Sequence, residues 1–280
     1  MATPYLQQFD AIGTPNGTWI KPGGRVAAYV RSTGLQEGDD LFAMSGNLVS
    51  TIAAGVARCR ANRNDIVYVL DGHTETISTG VAAFTAVAGA QIIGVCSPGS
   101  TNAPTITLSH AGAGLVLNAA NVTVSGLRII STTASLTGAV AVTAAGVTLH
   151  NCYISLTGAL GANPGIAVTD AADFAMLGCH VICNSTDPVV EITGTGTTNM
   201  LIAGNWIRQT QATSGGDCIN VANAVISGFI TDNRMKSAVA GTPGSSIGLV
   251  IGAGAAPVLF NGENYDLDDA VTAAVLSTGS

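Results

Sequence analysis

Charge is scarce in this chain. Only 10% of its residues are Asp, Glu, Lys or Arg, against about a quarter in an ordinary soluble domain. With so few charges to solvate the outside, much of the surface must be Ala, Thr, Ser, Gly and Val. Such a surface suits contact with another subunit or assembly better than open water. Basic clusters are also missing beyond Arg58, Arg60 and Arg63, and the formal charge is −7, so no nucleic-acid partner is expected. No apolar run reaches the roughly 18 residues of a membrane span. The nearest, Ile247 to Phe260, holds 14 residues and is broken by Gly and Pro. No membrane partner is expected. The opening Met1-Ala-Thr-Pro-Tyr5 has no positive region followed by an apolar stretch, so no secretory signal is expected either.

Signatures of chemistry are equally sparse. The six cysteines show no metal or redox spacing, and the four histidines share none. Phosphate-binding Walker loops, GxSxG elbows and Gly-Gly-x-Gly-x-Asp calcium runs are all absent. The sequence thus predicts neither a metal nor a cofactor.

What is present is a repeated six-residue phrase. It reads Val124-Ser-Gly-Leu-Arg-Ile129, Leu149-His-Asn-Cys-Tyr-Ile154, Met176-Leu-Gly-Cys-His-Val181, Ile202-Ala-Gly-Asn-Trp-Ile207, Ile230-Thr-Asp-Asn-Arg-Met235 and Phe260-Asn-Gly-Glu-Asn-Tyr265. Successive phrases start 25 to 30 residues apart, a period that means stacked repeats. Each phrase is preceded by an apolar triplet: Leu115–Leu117, Val140–Val142, Ile166–Val168, Val190–Ile192, Ile219–Val221 and Leu249–Ile251. The outer pair of each triplet is branched and aliphatic while the middle residue varies, the period-two signature of a strand buried on one face.

Inside the phrase, apolar positions one and six are an odd number apart, so a straight strand would point them to opposite faces. A bend at position three restores both to the interior. That position holds Gly126, Asn151, Gly178, Gly204, Asp232 and Gly262, the residue types that tolerate positive φ. Strand, tight corner, strand is the wall of a parallel β-helix, whose rungs lie roughly 4.7–4.9 Å apart. Position four then lines the corner with Leu127, Cys152, Cys179, Asn205, Asn233 and Glu263. Asn205 and Asn233 are expected to hydrogen-bond as an amide ladder. Cys152 and Cys179 fall on adjacent rungs within disulfide reach. Free buried thiols are preferred, since nothing indicates an oxidising compartment.

Residues 1–40 lack the repeat. They are rich in turn formers, yet carry Tyr5, Phe9, Trp19 and Tyr29. These aromatics need a burial site and are the partner-binding candidates of an extended arm. From about 47 to 61 the apolar spacing of Leu48, Ile52, Val56 and Cys59 predicts a short helix capped by Ser45, a lid for the open end of the core. The coils, lid included, are expected over 41–267, with 268–280 as a C-terminal tail. The linkers between coils (131–137, 157–164, 184–188, 209–216 and 237–246) vary in length and should emerge on one side.

An enzyme on such a scaffold would gather two carboxylates roughly 5–10 Å apart on one face to cleave polysaccharide. The acids on offer are Asp170, Asp173, Asp187, Glu191, Asp217, Asp232 and Glu263, and Glu191 with Asp217 is the best pair. The plainer reading is that these few acids keep a neutral protein soluble. For sugar stacking, only Trp206 and Tyr153 occupy solvent-facing phrase positions, both at position five.

With the coils placed, residues 40–267 resemble the right-handed parallel β-helix structural proteins of tailed-bacteriophage virions. The resemblance rests on the lid helix, the opening segment Asp65-Ile-Val-Tyr-Val-Leu-Asp-Gly-His-Thr-Glu-Thr-Ile77, the repeated corners and the closing Phe260–Tyr265 phrase. It implies an all-β, right-handed parallel β-helix of about eight coils, with a short N-terminal capping helix and an extended arm. It further implies a trimeric head-decoration (cement) protein on the capsid surface. Such a protein would be made in the host cytoplasm, would bind the major capsid protein or another virion protein, and would have no catalytic residues. The fold is shared with tailspikes, so the alternative is a polysaccharide depolymerase or glycan-binding fibre protein.

Overall fold

The repeat closes into a coil. The computed structural model describes residues 21, 23–32, 46–78, 81–82, 87–134, 136, 139–158, 163–211, 217–222, 227–236, 249–251, 258–259 and 265–266. Its strands stack into three parallel sheets of ten, eight and seven strands. Sheet 1 carries phrase positions one and two, sheet 2 carries positions five and six, and sheet 3 carries the apolar triplets. The chain is an all-β, right-handed parallel β-helix. Six successive coils supply strands of three or more residues to all three sheets, from Gln91–Gly94 through Leu249–Ile251. Before them stands a coil whose third strand is only Val81–Ala82, and after them come the two-residue strands Val258–Leu259 and Tyr265–Asp266. Eight coils therefore slightly overstates the regular stack.

Register follows the sequence alignment of the repeats. Val124, Leu149, Met176, Ile202 and Ile230 pair one above another on sheet 1, and all are buried. Ile129, Ile154, Val181, Ile207 and Met235 do the same on sheet 2. The triplets stack in register from Leu115–Leu117 to Leu249–Ile251. A one-residue slip would expose a whole apolar column, so burial fixes the register. The last phrase departs from the pattern: Asp266, not Tyr265, stands opposite Met235.

Position three turns as expected. Gly126, Asn151, Gly178, Gly204 and Asp232 have φ between 47° and 68°. A second left-handed column, absent from the sequence reading, sits where sheet 3 feeds sheet 1: Gly89, Asn121, Gly146, Asp173 and Asn199, with φ between 54° and 76°. Their amides donate to the next coil, as in Asn121 N to Ala145 O at 2.8 Å and Asp173 N to Thr198 O at 2.7 Å. Both corners use Gly, Asn or Asp because a Cβ costs roughly 1–2 kcal/mol in this conformation unless a short polar side chain compensates.

The N-terminal boundary differs from expectation. Val26–Val30 is a strand of sheet 1, parallel to Ile66–Val69, so the stack begins well before residue 41. Tyr29 stacks on Tyr68 with ring centroids 5.8 Å apart. It is thus part of the sheet rather than of a free partner-binding arm, because the first coil needs a strand to satisfy its edge. Tyr5, Phe9 and Trp19 lie outside the described residues, as do 33–45 and the tail 268–280.

The lid helix is also shorter than predicted. It spans Ile52–Val56 and is capped by Thr51, whose Oγ1 accepts from Ala54 N at 3.2 Å. Leu48–Val49 is instead a short strand paired with Tyr29 and Val30, since ladder bonds satisfy its backbone where a helix start would not. Ile52 and Val56 close the core beside Val30 and Val67. A Cβ at Gly55 would stand 2.8 Å from Val67 Cγ1, so the lid seats only because that side chain is missing. Below it Asp65, wholly buried, accepts two hydrogen bonds from the Arg60 guanidinium, at 2.9 and 2.8 Å, and one from Arg25 N. These bonds, led by the Arg60 side chain, hold its carboxyl far below the usual carboxylate range.

Candidate functional site

Two columns of side chains meet at the corner between sheets 1 and 2. The inner one is position four, where Leu127, Cys152, Cys179, Asn205 and Asn233 are all buried. Asn205 Nδ2 donates to Asn233 Oδ1 at 2.8 Å and to Met176 O at 2.9 Å, while its Oδ1 accepts from Cys179 N at 2.8 Å. Asn233 Nδ2 donates to Ile202 O at 2.9 Å. Cys152 Sγ donates to Val124 O at 3.6 Å. One bond therefore recurs: a position-four donor reaches the position-one carbonyl of the coil before. Cys152 and Cys179 are free thiols. The interaction of the two buried thiols lowers the Cys152 pKa and, with burial, raises that of Cys179. This column satisfies corner backbone.

The outer column is position five, on the outside of sheet 2. Register pairing stacks Arg128, Tyr153, His180, Trp206 and Arg234 on five consecutive coils. The Arg128 guanidinium lies 5.5 Å from the Tyr153 ring centroid. Tyr153 meets His180 edge-on at 5.0 Å, and His180 stacks flat on Trp206 at 4.2 Å with planes 10° apart. Burial and the nearby Arg208 lower the His180 pKa, which favours the neutral ring. Trp206 is 45% exposed. Beside it a cavity of about 390 Å³ is lined by Gly204, Asn205, Trp206, Asp232 and Arg234. Two residues further along the same strands come Arg208 and Lys236. Arg208, Arg234 and Lys236 make no ion pair among the described residues, on a chain whose net charge is −7.

The two aromatics singled out in the sequence, Tyr153 and Trp206, are joined through His180. Arg128, His180 and Arg234 were missed as members of the set, although reading position five down the repeats picks out all five. The carboxylate pair is different. Glu191 is outward on sheet 3, paired with Ala167 and Asn220. Burial, then the charge of Asp187, raises its pKa. Asp217 lies one coil on, its carbonyl accepting from Val189 N at 2.8 Å. The neighbour that Glu191 senses electrostatically is thus Asp187. Glu191 stands on sheet 3, while the aromatic column and its cavity occupy sheet 2 and its corner.

The outside of sheet 1 has another character. Ala175, Leu201 and Phe229 stack in one outward row, and Leu177 and Ala203 in the next. Phe229 is 46% exposed. Comparison with protein-family models, with curated proteins and with solved structures finds no match for this chain.

Proposed function

We propose that the chain is a non-catalytic structural protein of a virion, a trimeric head-decoration (cement) protein of the tailed-bacteriophage type. The observation that carries the assembly reading is the apolar stripe on sheet 1, where Ala175, Leu177, Leu201, Ala203 and Phe229 turn outward from an otherwise filled wall. A half-exposed apolar stripe ending in the exposed Phe229 suits a contact surface on a rigid face. A parallel β-helix suits that duty, since its backbone is cross-bonded coil to coil and presents flat faces. The arm remains the proposed grip on the shell, with Tyr5, Phe9 and Trp19 as its anchors. Native mass spectrometry tests the oligomer: a species of three times the 27.9 kDa chain is expected. Leu201→Lys with Phe229→Lys should convert it to monomer with unchanged far-UV dichroism, and monomer in the wild type would refute it. Attachment is tested on undecorated phage heads by imaging. Deletion of residues 1–20, which spares the Val26–Val30 strand, should abolish binding.

A second reading, a glycan-binding fibre protein, is favoured by one observation: the Tyr153–His180–Trp206 stack beside an open cavity. The depolymerase variant of that reading requires Glu191 and Asp217 to act together. It predicts reducing ends released from capsule and lost in Glu191→Gln; binding without release would eliminate it.

A further inference from the structure

We propose that the corner beside Trp206 binds an acidic sugar residue, and that the cationic strip continuing from it seats an acidic polysaccharide running along the helix axis. The proposal rests on the glycan-binding reading and adds the chemical class of the ligand. Three features of the site carry it. The cavity of about 390 Å³ lies in the size range, about 300–1,000 Å³, of sites that take small ligands. Its walls offer an exposed indole, a guanidinium from Arg234 and a carboxylate from Asp232. A pyranose presents the matching set: a C–H face for the ring, a carboxylate for the bidentate guanidinium fork, and hydroxyls that donate to Asp232.

The second feature is charge. Arg208, Arg234 and Lys236 project from adjacent coils of one sheet and make no ion pair among the described residues. Unpaired cations gathered on one face of an acidic protein create a local field opposite in sign to its net charge, which attracts and orients an anionic ligand. The third is spacing. Coils repeat at roughly 4.7–4.9 Å, close to the rise of one residue in an extended pyranose chain, so two successive sugars would meet the cations of two adjacent rungs, Arg208 on one and Arg234 with Lys236 on the next. The indole makes the site more than a general polyanion surface. An acidic peptide would use the cations and gain little from Trp206 and Asp232, and Asp232 would repel it.

The experiment uses the full chain with Trp19→Phe, so that Trp206 is the only indole and reports by fluorescence. Hyaluronate octasaccharide is the acidic probe, a dextran oligosaccharide the neutral one and polyglutamate the acidic peptide. Hyaluronate should quench or shift Trp206 emission with an affinity that falls as salt rises. Trp206→Ala, followed by calorimetry, and Arg234→Gln should each weaken binding about tenfold or more. Phe229→Ala, on another sheet, should leave it unchanged. If dextran binds as tightly as hyaluronate, the acidic class is wrong and the glycan-binding reading survives. If polyglutamate binds as tightly, the site is a polyanion surface and the proposal fails. If no saccharide binds, both fall.

Discussion

Asn205→Ala is the sharpest test of what holds the coils in step. The substitution removes two donor bonds, to Met176 O and Asn233 Oδ1, and one acceptor bond, from Cys179 N. Asn233 Oδ1 keeps a partner in Asn205 N at 3.1 Å. Cys179 N and Met176 O lose their bonds to this side chain at a site where Asn205 is 1% exposed. Met176 O keeps its ladder bond from Ala203 N, so the buried group left unpaired is Cys179 N, at a cost of about 1–3 kcal/mol. Asn205→Cys separates this from simple cavity formation. A thiol at position four can still donate to the position-one carbonyl, as Cys152 does to Val124 O, but its sulfur is a weak acceptor for Cys179 N, so most of the loss should remain. Urea unfolding measures the stability, and amide exchange resolved to Cys179 measures the orphaned donor. A loss below about 0.5 kcal/mol, the scale of an ordinary surface change, would refute the view that this ladder secures the corner. So would unchanged exchange at Cys179.

Three further predictions concern the same stack. Gly126→Ala should lower the melting temperature more than Gly204→Ala, although both have positive φ, because a Cβ at 126 would lie 2.7 Å from Gly94 O and one at 204 meets nothing within 4 Å; equal shifts in calorimetry would show that conformation alone sets the cost. Asp65→Asn should destabilise at neutral pH, since it removes the charged acceptor of the Arg60 guanidinium and leaves a buried amide in its place. Because folding depresses the Asp65 pKa below its ordinary 3.8, its contribution is complete above that pH and fades as pH falls below it. Wild type and variant stabilities should therefore converge in acid, and a constant gap between them would contradict the assignment. For Glu191 the sign reverses, because burial raises its pKa above the ordinary 4.5. Its carboxylate opposes folding as pH rises through that range, so Glu191→Gln should raise the melting temperature at pH 7 and lose the gain below about pH 4.5. A Gln variant less stable at pH 7 would mean the carboxylate has a favourable partner.

The coil pattern was legible in the sequence because it is a local, repeated constraint. A branched aliphatic at each inward position and a left-handed-tolerant residue at each corner leave one register, and the pairing of Val124, Leu149, Met176, Ile202 and Ile230 follows from it. The apolar spacing of Leu48 with Ile52 fits a helix equally well, yet Leu48–Val49 became a strand because Tyr29 and Val30 offered an edge to pair with. Val26–Val30 joined sheet 1 for the same reason, a partner forty residues away that no local pattern announces. The outer column needed the third dimension most. Arg128, Tyr153, His180, Trp206 and Arg234 are unlike in chemistry, so no repeat of residue type marks them. Stacking on successive rungs is what brings their rings and charges together. The chain's own letters determined the period, the inward faces and the turning residues, because each is enforced within a few bonds. Only the folded stack decided which side chains became neighbours across coils, because proximity there depends on the rise from rung to rung rather than on distance along the chain.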